Sequence, residues 1–88
     1  MWLNGGPGCS SMIGFLEEIG PYYLEPNSPY SSGNKLLENK NSWNKYTHLL
    51  FLDSPAGVGL SANDDPSYEY NDENTAEDAL AALEYFFK

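Results

Sequence analysis

The sequence predicts an α/β chain built around parallel strands. Three stretches carry that expectation: the glycine-rich WLNGGPGCSS at 2–11, the apolar run YTHLLFL at 46–52 closed by Asp53 and Pro55, and the amphipathic TAEDALAALEYFFK at 75–88. Strand and helix signals that alternate around a buried strand describe a parallel sheet covered by helices. Two strands alone leave both edges of such a sheet open, so the 88 residues are expected to be a slice of a larger domain. The first residues look like the last turn of a strand, with the strands before it missing.

Each element has its own signal. Three glycines around Pro7 cannot form a helix or a strand interior, because glycine costs backbone entropy there and proline removes a donor. The stretch is therefore a loop that brings bare backbone close to something. Beyond it, Met12, Phe15, Leu16 and Ile19 recur at helical spacing and Gly20-Pro21 supplies the stop, which predicts a short helix over 10–19. From Pro21 to Trp43 no period is sustained, and so long an irregular stretch marks an excursion. Within it, YYLEP and NKLLEN read as short strands of a hairpin. The run at 46–52 suits a strand buried on both faces. His48 lies in it with no cysteine or histidine at ligand spacing, so it reads as a structural histidine. After the second glycine turn, DSPAGVGLSA, comes an acidic stretch, NDDPSYEYNDEN. The final helix is expected to start at Thr75, which forms a capping-box pattern with Asp78, while Glu77 and Asp78 favour its N-terminal dipole. Ala76, Ala79, Leu80, Leu83 and Phe87 line one face.

Thirteen acidic residues face four lysines and no arginine, for a formal net charge of −9. From Asp53 onward nine acids meet one base, Lys88. Such a surface repels phosphate backbones and anionic lipids, which argues against nucleic-acid and membrane partners. A solvated acidic face is preferred to a dedicated cation site. Cys9 is the only cysteine, so it is either a buried free thiol or paired outside this chain, and no cysteine metal cluster can form. No apolar run approaches the ~20 residues of a bilayer span, no signal-peptide pattern opens the sequence, and no N-x-[ST] sequon occurs.

Two phosphate-binding readings fail on context. Gly57-Val58-Gly59-Leu60-Ser61-Ala62 matches G-x-G-x-x-A, but that motif needs a helix to open at once so that its amides face the phosphates. Here Asn63-Asp64-Asp65-Pro66 follows, a turn with two carboxylates. GGPGCSS lacks the lysine of a Walker loop. An oxyanion loop accounts for it better. Acyl transfer requires backbone amides aimed at the oxygen that gains charge, and glycines let those amides approach. Asn4 adds a neutral amide able to donate to a carbonyl or carboxylate.

WLNGGPGCSS closely resembles the signature of the serine carboxypeptidases. The resemblance continues in order through FLEEIGP, NSWNKYTHLLFLDSPAGVGLS and DENTAEDALAALEYFF, and only about 24–38 is unlike the family. It implies an α/β-hydrolase fold, of which this chain would be two parallel strands and two helices of a larger mixed sheet. It also implies removal of single residues from peptide C-termini, usually at acidic pH, with no cofactor and no metal, in the secretory pathway (lysosome, vacuole or secreted). By position, Gly6 resembles the oxyanion-hole amide donor. Asn4 and Gly5 resemble the donors that hold the substrate's terminal carboxylate, and Trp2 a tryptophan of the same hydrogen-bonded site. Glu18 resembles a buried glutamate paired with a second one beside the nucleophile, and Cys9 half of a disulfide with a distant cysteine. Neutral amides plus a protonated carboxylic acid suit a chain without arginine, since two adjacent carboxyls cannot both ionise cheaply and share a proton.

The sequence also departs from the family. Leu60 and Ala62 stand where it commonly has Phe and Tyr. No G-x-S-x-G elbow for the nucleophile occurs, and the triad's Asp and His are missing as well, since His48 belongs to the second strand. Residues 1–88 are therefore expected to be a fragment of a single hydrolase domain, without its upstream strands and downstream catalytic part. The alternative expectation is a truncated, non-catalytic module that binds peptide C-termini or partner proteins.

Overall fold

The computed structural model describes residues 1–25 and 35–88. The tip of the excursion, 26–34, lies outside the described residues. In chain order the elements are a π-helical segment Gly14–Glu18, strands β1 (Tyr22–Leu24) and β2 (Leu36–Glu38), a 3₁₀ turn Trp43–Lys45 and helix α1 (Asp72–Phe86). This is a small α/β arrangement, but its sheet is not the expected one. The two-stranded sheet is antiparallel, with Tyr22 opposite Glu38, Tyr23 opposite Leu37 and Leu24 opposite Leu36. These are the two strands read from YYLEP and NKLLEN.

The expected parallel strand pair comes down to a single bridge between Trp2 and Phe51. The Trp2 amide donates to the Leu50 carbonyl at 2.8 Å, and the Leu52 amide donates to the Trp2 carbonyl at 3.2 Å. The ladder stops there because the chain turns away at Gly5, leaving the 46–52 run no longer partner. Tyr46, Thr47 and His48 are exposed and Leu49 to Leu52 only half-buried. Burial on both faces, expected for this run, is not found.

The helix expected over 10–19 is wound more widely. Phe15 closes an ordinary helical turn on Ser11 (3.1 Å), but the Ile19 amide reaches back five residues to Gly14 at 2.9 Å. Trp2 packs on the start of this segment, its indole lying so close to Gly14 that a Cβ there would come within 2.3 Å of Nε1. Phe15 also meets Phe51 edge to face at 5.4 Å between centroids, which ties the segment to the bridge. Ile19, at its end, is the one buried apolar side chain among the described residues.

Asn39 joins this segment to the hairpin. It is 1% exposed and its amide is satisfied on both sides. Nδ2 donates to the carbonyls of Gly20 (2.8 Å) and Glu18 (3.3 Å), and Oδ1 accepts from the Tyr23 hydroxyl (2.7 Å) and the Asn41 amide (2.9 Å).

Helix α1 begins one turn before Thr75. Asn71 is its N-cap, its side chain accepting from the Asn74 amide at 2.8 Å, and Asp72 and Glu73 occupy the first turn. Asparagine with extended backbone is a strong cap, and it prevails over the Thr75–Asp78 box. Thr75 instead donates to the Asn71 carbonyl, and Asp78 accepts from the Tyr68 hydroxyl. No residue of α1 is buried. Of the face read from the sequence, Ala79 and Leu83 are half-buried while Ala76, Leu80 and Phe87 are exposed. None of the helices is long and apolar enough, among the described residues, to cross a membrane.

Candidate active site

The glycine loop is held by its two ends. At the first, Asn4 donates its backbone amide to the Ser11 hydroxyl at 3.0 Å. At the second, Ser11 Oγ donates to the Leu52 carbonyl at 2.6 Å, and the Ser11 amide donates to Asp53 Oδ1 at 2.6 Å. Ser10 Oγ reaches the same carboxylate oxygen at 2.8 Å. Ser11 is fully buried, which is why each of its polar groups has a partner. Residues 5–9, between these ends, are exposed.

Within the loop, Trp2 Nε1 donates to Asn4 Oδ1 at 2.8 Å. An indole N–H can only donate, so this bond fixes which way the Asn4 amide points. Asn4 Nδ2 and the amides of Gly5 and Gly6 have no acceptor among the described residues. Gly6 has φ +134°, and a Cβ there would stand 3.0 Å from Cys9 Sγ and 3.1 Å from the Cys9 amide. The loop thus presents donors, held in place and uncompensated, and can receive an anionic or polarised oxygen.

The structure brings Trp2, Asn4, Gly5 and Gly6 together in this loop. Glu18 lies at the end of the π-helical segment and is exposed in these 88 residues. Cys9 is a free, exposed thiol in these 88 residues. His48 is exposed and bonds through its carbonyl to Thr47. Among the described residues no group of three or more His, Cys, Asp or Glu could hold a metal ion.

Asp53 is the residue that sequence reasoning missed. It is 8% exposed and takes three donors: Ser10 Oγ and Ser11 N on Oδ1, and Leu60 N on Oδ2 at 2.8 Å. Burial pushes its carboxyl up, but the Leu60 amide, the Ser10 hydroxyl and the Ser11 amide outweigh this and hold it below the ordinary carboxylate range. Its carbonyl also accepts from Ser61 Oγ at 2.7 Å. The second glycine turn therefore wraps Asp53, and Gly59 is required there, with φ +56° and an ideal Cβ only 2.2 Å from Oδ2. The available signal was an acid that ends an apolar run between two glycine turns. On the other side of the turn lies a hollow of about 380 Å³, bordered by Asp53, Ala56, Tyr68 and by Asp78, Ala79 and Ala82 of α1.

The whole chain is similar to known proteins. The chain is 46% identical over 88 residues to the lysosomal protective protein of Mus musculus, covering 100% of this chain and 18% of that protein. It is 50% identical over 91 residues to serine carboxypeptidase-like 26 of Arabidopsis thaliana (100% and 19%), and 46% identical over 89 residues to serine carboxypeptidase 1 of Hordeum vulgare (100% and 18%). The chain thus spans under a fifth of the length of these relatives. The family model described as serine carboxypeptidase matches residues 1–88, the whole of the sequence, and the chain belongs to the serine carboxypeptidase family.

Proposed function

We propose that these residues work as the oxyanion and carboxylate-binding segment of a serine-type carboxypeptidase of α/β-hydrolase fold, which removes C-terminal residues from peptides or proteins through an acyl-enzyme. Residues 1–88 form one part of a single domain whose remaining strands complete a mixed sheet and supply the nucleophile, base and orienting acid. The observation that carries this reading is the Trp2–Asn4 bond at 2.8 Å, which pins Oδ1 and turns the amide's donor side away from it, beside two glycine amides that have no acceptor among the described residues.

In this reading the Gly6 amide stabilises the oxygen of the tetrahedral intermediate. Asn4 Nδ2 and the Gly5 amide hold the substrate's terminal carboxylate, and Trp2 orients Asn4. Glu18 joins the carboxylate site once the rest of the domain covers it, and Cys9 pairs with a cysteine elsewhere in the enzyme. The compartment is the lysosome, vacuole or exterior. Neutral amide donors can hold a free carboxylate without an arginine.

Gly6→Ala in the full-length enzyme tests it. The positive φ and the contact with Cys9 force the loop to move, and kcat should fall by roughly the 10²–10³-fold typical of losing one oxyanion donor. An unchanged kcat contradicts the assignment.

A further inference from the structure

Resting on that reading of the glycine loop, we propose that Asp53 is a positioning residue, setting the loop's geometry through Ser10 and Ser11. The loop leaves at Asn4 and returns at Ser11: the Asn4 end is held on the Ser11 hydroxyl, and Ser10 and Ser11 are held on Leu52 and Asp53. Ser11 Oγ links the Asn4 amide (3.0 Å) to the Leu52 carbonyl (2.6 Å), while the Ser11 amide and Ser10 hydroxyl share Asp53 Oδ1 (2.6 and 2.8 Å). Between these anchored ends the exposed residues 5–9 have no other hydrogen-bonded hold on the described chain. The direction of the Gly6 amide is thus set by where the carboxylate sits.

The carboxylate is itself fixed from behind. Leu60 N holds Oδ2 at 2.8 Å. The Gly59 backbone passes so close that a Cβ would lie 2.2 Å from Oδ2 and 2.8 Å from Ser10 Oγ. All three donors are neutral, so the charge is held by dipoles that already point at it and need not reorganise during the reaction. One carboxylate thereby couples two glycine turns that are separate in sequence, and the second turn serves the first.

Asp53→Asn in the full-length enzyme is the test. An amide keeps the size, but its NH₂ must face either Leu60 N or the Ser10–Ser11 pair, donor against donor. Measured per titrated active site, kcat should fall about 10- to 100-fold, the scale of a small misplacement of catalytic groups. Affinity for a peptidyl trifluoromethyl ketone, which forms a tetrahedral adduct, should fall in parallel. Ser10→Ala, which keeps the carboxylate and its two backbone donors, should give a smaller loss of both, and it decides the question alone if Asp53→Asn does not fold. Per-site kcat and ketone affinity within about twofold of wild type would overturn the proposal, since a merely structural role lowers only the number of active sites. Gly6→Ala is measured alongside. If it weakens the ketone while the Asp53 and Ser10 variants do not, the positioning role alone falls. If Gly6→Ala leaves the ketone unaffected too, the oxyanion reading falls and this proposal with it.

Discussion

The Ser11 amide lies 2.6 Å from Oδ1 of Asp53, 42 residues further along the chain. This contact fastens the glycine loop to the end of the apolar run and makes the two ends of one hydrogen-bonded foot. It also ties the stability of the foot to the ionisation of one carboxyl.

That linkage has a sign. The folded-state pKa of Asp53 is lowered from 3.8, so the unfolded chain binds the proton more readily. The stabilisation is fully present above the unfolded value and is lost as pH falls through the lower, folded one. In the full-length protein, the difference in urea midpoint between wild type and Asp53→Asn should be constant above about pH 5 and shrink below pH 4. A difference that grows on acidification would contradict the assignment.

Asn39 is expected to be the most sensitive polar position outside the loop. Asn39→Leu leaves the Gly20 and Glu18 carbonyls, the Asn41 amide and the Tyr23 hydroxyl without their partner. The loss should be about 2–4 kcal/mol, since orphaned buried groups carry their full desolvation penalty. Denaturant unfolding of the full-length protein checks it.

Tyr68 is pushed up to about 12 by its hydrogen bond to Asp78, aided by desolvation and by the charges of Asp78 and Tyr70. Asp78→Asn should therefore bring one tyrosine back toward the ordinary value near 10. Ultraviolet titration should show more tyrosinate at pH 11 in the variant than in wild type. Identical titrations would mean that Tyr68 and Asp78 do not meet.

The isolated 88 residues should neither hydrolyse a blocked dipeptide nor unfold cooperatively. The sequence holds no G-x-S-x-G, and on the proposed reading a donor loop without a nucleophile has nothing to stabilise. The Cα radius of gyration, 15.4 Å, exceeds the ~12 Å of a compact chain of this length. Leu60, Leu80 and Phe87 are 85%, 57% and 77% exposed. Serine-inhibitor-sensitive turnover by pure chain, or a sharp thermal transition of its monomer, would contradict this.

What the sequence made legible was local. The hairpin strands followed from YYLEP and NKLLEN, and the glycine loop from residues whose backbone demands leave few alternatives. The parallel ladder and the buried helix face were expected from apolar periodicity, which signals that a surface will be covered but not by what. In the described residues Trp2 supplies a single bridge, and Leu80 of α1 and Phe87 just after it stay in solvent. The start of α1 was misplaced because two cap patterns overlap, Asn71 with Asn74 and Thr75 with Asp78, and the stronger cap prevails. Asp53 was missed because its role is tertiary: three donors from Ser10, Ser11 and Leu60 converge on it, two of them from far along the chain.

The central claim is that Asn4 holds the substrate's terminal carboxylate, and the most direct measurement is steady-state kinetics of Asn4→Ala in the full-length enzyme on a matched pair of peptides, one a free acid and one amidated. Asn4 acts on a group bound alike in ground and transition states, so KM should rise more than kcat falls, and the free-acid peptide should suffer more than its amide. Equal effects on the two peptides would contradict the carboxylate role.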